Sequence, residues 1–241
     1  MTELYSEDKL HELEQKIQSL PKRIIEVQEA ERKRISKEIH DDLGQSLAAL
    51  KMLIQSSVLP EYLDQIHNRR AYQRVIDYID EIIEKTRDIA TTLRPKVIET
   101  MGISRAIKKL LVGFRKNKGL HIKAQIGNLN DLTFQDDPVN LYRILQEALT
   151  NLYHHAEASH VEVAFRRGKQ SLTLTIRDNG KGFLPDEAKK DTGRAHKYGL
   201  STMHERSRIL GGDLAIESEP GKGTLIRLNI PVSYKEGTAG E

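Results

Sequence analysis

Glycine and proline are almost absent from the first 94 residues of this chain and common in the rest. Up to Arg94 there is one glycine, Gly44, and there are two prolines, Pro21 and Pro60, of the 16 glycines and 7 prolines in the whole chain. Glycine weakens helices through the conformational entropy that it loses, and proline lacks an N–H donor. The first part is therefore predicted to be helical, and the part from Pro95 onwards to mix helices and strands.

The N-terminal residues carry apolar side chains at alternating spacings of three and four. These positions are Leu10, Leu13, Ile17, Leu20, Ile24 and Val27. The spacing is the heptad pattern of a coiled coil, although a single amphipathic helix on a protein core would share it. The highly charged flanking residues favour the coiled coil. Pro21 is predicted either to begin a helix or to kink one.

Two further amphipathic helices are predicted before Pro95. The first has apolar residues at Ile35, Ile39, Leu43, Leu47, Leu50 and Ile54 and is expected to end at Pro60. The second begins near Glu61 and carries Val75, Ile76, Ile79, Ile82, Ile83, Ile89 and Leu93. A hairpin of two such helices cannot bury both apolar faces alone, so we expect two chains to form a dimeric four-helix bundle.

The second part of the chain is predicted to be an α+β sandwich, because helical and strand-like segments are mixed along it. Helices are predicted over 103–114, 138–155 and 200–210, and strands over 120–126, 160–165, 171–178, 213–217 and 223–231. The predicted domains are a coiled-coil helix, a helical hairpin, the sandwich and a disordered tail, over 1–30, 31–96, 97–234 and 235–241.

The composition excludes several classes of function. There is no cysteine, which excludes disulfides, thiolate catalysis and cysteine-bound metal centres. The 38 basic and 35 acidic side chains nearly balance, so the charge gives no case for direct nucleic-acid binding. No apolar run approaches the roughly 20 residues that span a bilayer, and the acidic N-terminus is not a signal peptide. We therefore expect a cytoplasmic chain without a membrane segment, either complete or the cytoplasmic portion of a membrane-bound sensor.

The helical part contains a concentration of reactive groups, Glu38-Ile39-His40-Asp41-Asp42-Leu43-Gly44-Gln45. His40 follows the apolar Ile39, so it is predicted to face solvent or the edge of the apolar stripe. A neutral imidazole has one nucleophilic nitrogen, and a carboxylate on the other nitrogen fixes the tautomer. A histidine beside acids is also a common surface feature, and the residues alone leave both interpretations open. Consecutive residues point to different helix faces, which argues against a metal site.

Residues 32–45, RKRISKEIHDDLGQ, resemble the phosphoacceptor motif of the histidine kinases that partner LuxR-type response regulators. The family pattern is a basic run followed by E-[LI]-H-D-x-L-G-Q. The resemblance implies that His40 accepts a phosphoryl group and that Asp41 orients or deprotonates it. It also implies that Gln45 positions a water that dephosphorylates the regulator. Leu93-Arg94-Pro95 resembles the family's exit from the second hairpin helix.

Four short motifs stand out in the mixed part. Glu147, Asn151 and His155 are spaced by four on one predicted helix face, which suits Mg²⁺ and phosphate but equally a polar surface stripe. The other motifs are Asp178-Asn179-Gly180-Lys181-Gly182 after a strand, Tyr198-Gly199-Leu200 before a predicted helix start, and Gly221-Lys222-Gly223-Thr224 in a predicted hairpin turn. A glycine at a helix start can offer free N–H groups to phosphate, and a basic lid is predicted over 183–197. Each motif alone also occurs in ordinary turns and loops.

In this order the four motifs resemble the N box and the three glycine boxes of the GHKL ATPase superfamily, over residues 105–232. The resemblance implies bound ATP and Mg²⁺, with Asn151 and Glu147 at the metal and Asp178 at the adenine amine. The other nucleotide-binding residues that it implies are His154, His155, Gly180, Gly182, Gly199, Leu200, Gly221, Gly223 and Thr224. His154 stands where the kinase subfamily usually has Lys or Arg, so a weaker phosphate contact is expected there.

Together the two resemblances imply a homodimeric sensor histidine kinase of a two-component system. Such a protein phosphorylates its own His40 from ATP, passes the phosphoryl group to an aspartate of a response regulator, and dephosphorylates that regulator in the opposite signalling state. One alternative is a GHKL ATPase or serine kinase of the anti-sigma type, which would need no His40 hairpin. The other is an inactive dimeric scaffold, against which the intact Asn151 and Asp178 argue.

Overall fold

A computed structural model of the chain describes residues 2–58, 66–93, 96–117, 120–184 and 194–235. The helices are α1 (Thr2–Glu38), α2 (Gly44–Ser57), α3 (Ile66–Leu93), α4 (Lys96–Met101), α5 (Ile103–Asn117), α6 (Val139–Asn151) and α7 (Arg194–Ile209). Two π-helical turns, Ile39–Leu43 and Leu152–Ala156, follow α1 and α6. The strands are β1 (His121–Gln125), β2 (Leu132–Phe134), β3 (His160–Arg167), β4 (Ser171–Asp178), β5 (Asp213–Ser218) and β6 (Thr224–Tyr234). None of these described helices combines the length and the apolar character needed to cross a membrane.

The chain divides into two compact units. One is Glu26–Lys96, which contains the helical hairpin, and the other is Val97–Glu241 with Met1–Ile25. Helix α1 is continuous, and Pro21 lies in its interior and does not begin a helix.

The hairpin unit is held by polar contacts as well as by apolar ones. The Ser36 hydroxyl, fully buried, donates a hydrogen bond to the Ala90 carbonyl at 2.8 Å. Farther along the hairpin, Lys51 Nζ lies 2.6 and 2.7 Å from the two carboxylate oxygens of Asp80. Of the apolar residues predicted for this hairpin, Ile76 and Ile79 are buried, and several others are largely exposed. The hairpin therefore leaves apolar surface uncovered, as the sequence predicted.

The second unit contains a six-stranded mixed sheet in the order β1-β3-β4-β6-β2, with β5 also paired to β6. Only β1 and β3 are parallel, and the remaining pairs are antiparallel. Strand β6 is the longest of the described strands because it serves several partners: its first residues pair with both β4 and β5, and Val232–Tyr234 pair with β2.

One face of this sheet packs against α5, α6 and α7 around a single core. Alternate residues of β4, Leu172, Leu174 and Ile176, are buried there. Helix α6 contributes a broad apolar face that includes Leu141, Ile144, Leu145, Ala148 and Leu149. The predicted α+β sandwich is thereby confirmed.

Most predicted segments coincide with observed ones to within two residues, and five differ by more. Helix α5 ends at Asn117 and not at residue 114. Strand β2 and helix α4 were not predicted, because three and six residues are too short to show a period. Strand β6 extends beyond the predicted 223–231 to Tyr234, where it pairs with β2. Helix α7 begins at Arg194 and not at residue 200. The predicted helix end at Pro60 and start at Glu61, Arg94–Pro95, most of the lid (185–193) and the tail after residue 235 lie outside the described residues.

Candidate functional site

The His40 motif occupies the π-helical turn that joins α1 to α2. The Gly44 N–H donates to the Ile39 carbonyl five residues earlier, which adds one residue to that turn. His40 is exposed, as predicted, and Asp41 beside it is half-buried. Gln45 is exposed in the first turn of α2. The imidazole is thus accessible from solvent, with a carboxylate as its immediate neighbour in the chain.

The apolar spacing of the sequence contains a signal for this π-helical turn. Ile35, Ile39, Leu43 and Leu47 are separated by three successive intervals of four. In a regular helix of 3.6 residues per turn such a run drifts around the axis, and one wide turn compensates for the drift. Ile35, Ile39 and Leu47 are accordingly all half-buried.

The N-box motif lies at the end of α6, opposite the middle of α7. A Cβ atom added to Gly199 would overlap Oε1 of Glu147 and would lie 3.3 Å from Nδ2 of Asn151. That Nδ2 is buried and has no hydrogen-bond partner among the described residues. Buried polar atoms are normally satisfied, so this amide suits a polar ligand.

Gly199 lies inside α7, which corrects the prediction that it precedes a helix start. Helix α7 begins five residues earlier, at Arg194, so the Gly199 N–H is not one of the free groups at a helix end. Its contribution is steric, because only a residue without a side chain allows Glu147 and Asn151 to approach α7 so closely. Leu200, the next residue, is half-buried and packs against the core.

Asp178 lies at the end of β4 and is 8% exposed. Its Oδ1 accepts a hydrogen bond of 2.7 Å from the Gly180 N–H. Burial raises the pKa of the Asp178 carboxyl above its ordinary value, against the opposing effect of hydrogen bonds from Gly180 and Thr224. A carboxylate held in an apolar site is costly, so this side chain is a strong candidate for ligand recognition.

Three predicted motif loops meet around Asp178. The Lys181 N–H donates to the Ala156 carbonyl at 2.8 Å, and the Gly221 N–H donates to the Lys181 carbonyl at 2.6 Å. Gly182 and Gly223 have φ angles of +62° and +75°, and a Cβ on either would overlap a backbone carbonyl of another loop. Close approach of the three loops therefore requires glycine at these positions.

Ser218 is a residue of this cluster that the sequence did not reveal. Its Oγ accepts from the Phe183 N–H at 2.9 Å, donates to the Gly223 carbonyl at 3.0 Å and lies 3.1 Å from the Thr224 hydroxyl. It thereby fixes Thr224, which also donates to Asp178. Serine at the end of a strand carries no pattern of its own, so only the tertiary structure identifies it.

The histidines of the N box are more exposed to solvent than Glu147 and Asn151 are. Glu147 and Asn151 are half-buried, whereas His154 and His155 are exposed in the second π-helical turn. The His154 ring packs edge-on against Tyr153, with ring centroids 4.8 Å apart.

The oxygen donors beside Gly199 suit a metal that arrives with its ligand. No group of three or more His, Cys, Asp or Glu side chains suited to a metal occurs in the described part of the chain. The Glu147 carboxylate and the Asn151 amide offer hard oxygen donors, which fit a Mg²⁺ ion that keeps waters and phosphate oxygens as its remaining ligands.

Two family models match the chain. Residues 31–98 match a histidine kinase domain (HisKA_3), and residues 136–234 match the histidine kinase-, DNA gyrase B- and HSP90-like ATPase domain (HATPase_c). Over 220 residues the chain is 31% identical to the signal transduction histidine-protein kinase/phosphatase DegS of Brevibacillus brevis. The alignment covers 88% of this chain and 54% of that protein, so the chain spans about half the length of this curated relative.

The solved structures to which the chain is similar include two histidine kinases. The histidine kinase domain of a blue-light activated kinase from Erythrobacter litoralis has a TM-score of 0.47 at 13% identity, with 79% of this chain and 94% of that one covered. The Acinetobacter baumannii histidine kinase AdeS has a TM-score of 0.44 at 14% identity, with 78% and 93% covered.

Proposed function

This chain belongs to the histidine kinases, and on that premise we propose that it phosphorylates its own His40 from ATP and passes the phosphoryl group to an aspartate of a response regulator. The observation that carries the proposal is the contact between the four ATPase motifs. Gly199 borders Glu147 and Asn151, and the loops of Gly180, Gly182 and Gly223 surround Asp178. Exposure of His40 supports its role as the acceptor.

In the proposed site the carboxylate of Asp178 accepts a hydrogen bond from the adenine amine, and Thr224 lies beside the ring. Asn151 and Glu147 would hold Mg²⁺ and its water shell, and the glycines let the loops and α7 pack closely enough to form the nucleotide site. Mg²⁺, when bound, neutralises charge that develops on the phosphates. His154 and His155, both exposed, are proposed to contact phosphate.

The first proposed step is in-line attack by a ring nitrogen of His40 on the γ-phosphorus. A nitrogen–phosphorus bond forms, the bond from the γ-phosphorus to the bridging oxygen breaks, and ADP leaves. Asp41 accepts a hydrogen bond from the N–H of the other ring nitrogen. It thereby stabilises the positive charge of the phosphorylated ring, or removes it by taking the proton. Positioning supplies most of the rate enhancement in phosphoryl transfer.

The second proposed step is transfer from phosphohistidine to a carboxylate of the regulator, for which the resemblance of residues 32–45 favours a LuxR-type partner. The nitrogen–phosphorus bond breaks and an acyl phosphate forms. In the opposite signalling state Gln45 positions the water that hydrolyses this acyl phosphate. The exposure of Gln45, five residues after His40, supports this assignment because both side chains are accessible to a docked partner.

The test is incubation with γ-labelled ATP and Mg²⁺, comparing the chain with the His40→Gln and His121→Gln variants. His121 is exposed on β1, outside every motif, and is the matched control. We expect a label that is stable in base and labile in acid, retained in His121→Gln and absent from His40→Gln. An acid-stable label that survives in His40→Gln would favour a serine kinase and contradict the proposal. Bound ATP without any label, together with no dephosphorylation of a regulator, would favour an inactive scaffold.

A further inference from the structure

Helices α6 and α7 touch at two places that are equally spaced on both helices. At the first, Glu147 of α6 borders Gly199 of α7. At the second, Arg206 Nη1 donates to Asn140 Oδ1 at 2.8 Å. Asn140 precedes Glu147 by seven residues and Arg206 follows Gly199 by seven, so the helices run antiparallel and the two contacts are about 10 Å apart along each axis.

The Arg206–Asn140 contact is polar, although it lies in the interior. Arg206 is 3% exposed and Asn140 is 5% exposed. Between this contact and Gly199, Met203 is buried on α7, and Ile144 is buried on α6. A buried guanidinium is costly unless it is hydrogen-bonded, so sliding one helix past the other would carry a large penalty.

The apolar contacts between these helices do not by themselves fix their register. A slip by one helical turn would replace one aliphatic contact with another, because apolar side chains recur about every turn along α6. The polar contact, in contrast, joins one particular donor on α7 to one particular acceptor on α6. Single buried polar residues are known to set register in packed helices in this way.

We propose that Arg206 and Asn140 are positioning residues that lock the register of α7 against α6 and thereby hold Gly199 beside Glu147 and Asn151. The assignment of that place to nucleotide binding rests on the function proposed above. The register lock itself does not, because it concerns only the contact between the two helices.

The test uses four single variants and measures two quantities. Arg206→Met and Asn140→Ala break the bond, whereas Asn140→Asp keeps an oxygen acceptor for Arg206. Val163→Ala, in the core on β3, is the control for general loss of stability, because it lies on the sheet and on neither helix. The measurements are the Kd of a fluorescent ATP analogue with Mg²⁺ and the hydrogen-exchange rates of the α7 amides around Gly199, both well below the Tm of each variant.

We expect Arg206→Met and Asn140→Ala to raise the Kd by roughly tenfold and to speed exchange around Gly199. Asn140→Asp should stay within about twofold of the wild-type Kd. Val163→Ala should match the wild type in both measurements, even if its Tm falls as far as the Tm of the two bond-breaking variants. The double variant Arg206→Met/Asn140→Ala should be no worse than Arg206→Met, because both changes remove one bond.

Two outcomes would overturn the register lock. One is an unchanged exchange rate around Gly199 in both bond-breaking variants, and the other is equal effects in Val163→Ala at equal Tm. If the wild-type chain binds no nucleotide, the proposed function fails, and the exchange rates still decide whether the register is locked.

Discussion

At the residue scale, Asp178 shows how one side chain joins stability to function. Asp178 is the last residue of β4 and is almost completely buried, and this burial raises the pKa of its carboxyl. The folded protein therefore binds this proton more tightly than the unfolded chain does. The carboxyl's contribution to the free energy of unfolding is fully present below its ordinary pKa and is lost as the pH rises through its raised pKa. At neutral pH the ionised group consequently reduces stability, a cost that agrees with the ligand-binding role proposed for it.

The Asp178→Asn variant should separate the effect of the carboxylate on stability from its effect on ligand binding. At neutral pH its Tm should exceed that of the wild type, and the difference should shrink as the pH falls through the raised pKa of the wild-type carboxyl, because the carboxyl is then protonated. Its affinity for an ATP analogue should fall by about tenfold or more, since a charge-assisted hydrogen bond is lost. Thermal unfolding over a pH series and a binding titration are the measurements. Asp213→Asn, at an exposed position on β5, is the control and should change neither quantity.

At the element scale, the long helix α1 contains a proline in its interior. Pro21 has no N–H to donate to the carbonyl four residues earlier, and its ring crowds that carbonyl. Leu20, just before Pro21, and Ile24, three residues after it, are 49% and 54% exposed. Because the π-helical turn with His40 follows the same continuous helix, a local weakness at Pro21 is suited to changing how that helix transmits a signal.

Replacing Pro21 with Ala should restore the missing hydrogen bond and make α1 stiffer. We expect higher helicity by circular dichroism and a changed ratio of autophosphorylation to regulator dephosphorylation, with ATP affinity unchanged. Glu26→Ala, at an exposed position in the same helix, serves as control. A ratio equal to that of the wild type, with helicity raised, would show that Pro21 has no part in signalling.

At the scale of the whole molecule, the hairpin unit leaves several large apolar side chains exposed to solvent. Five apolar side chains on its helices are between 46% and 61% exposed, namely Leu43, Leu50, Val75, Tyr78 and Ile89. Exposed apolar side chains in such number on one hairpin favour an interface. Packing against a second hairpin would cover it and would complete the four-helix bundle that the sequence predicts.

A charge placed in this surface should prevent dimerisation. Leu50→Lys should shift the chain from dimer to monomer in light scattering at micromolar concentration, because the lysine would lose its hydration in the bundle interior. Gln55→Lys, on another face of α2, adds the same charge and should remain dimeric. A Leu50→Lys protein that is as dimeric as the wild type would place the interface elsewhere.

Local patterns in the sequence were sufficient to predict most helices and strands and the presence of the motifs. Strand β4 was predicted to the residue, since alternation of apolar and polar side chains is a property of neighbours in the chain. The glycine motifs were also recognisable from neighbouring residues, and the positive φ angles of Gly182 and Gly223 are properties of single residues in the chain. The roles assigned to His40, Asp41 and Gln45 stay predictions until their chemistry is measured.

Tertiary structure decided which distant residues meet. Only the packing of α7 on α6 shows that Gly199 acts by giving space to Glu147, and only that packing brings Arg206 to Asn140, 66 residues away. Strand β2 exists because the end of β6 offers it a partner, and Ser218 matters because it joins the loop of Phe183 to the turn of Gly223 and Thr224. Such contacts depend on long-range packing energies that no periodicity in a single stretch of sequence records, whereas the elements themselves follow from backbone geometry and the alternation of apolar side chains.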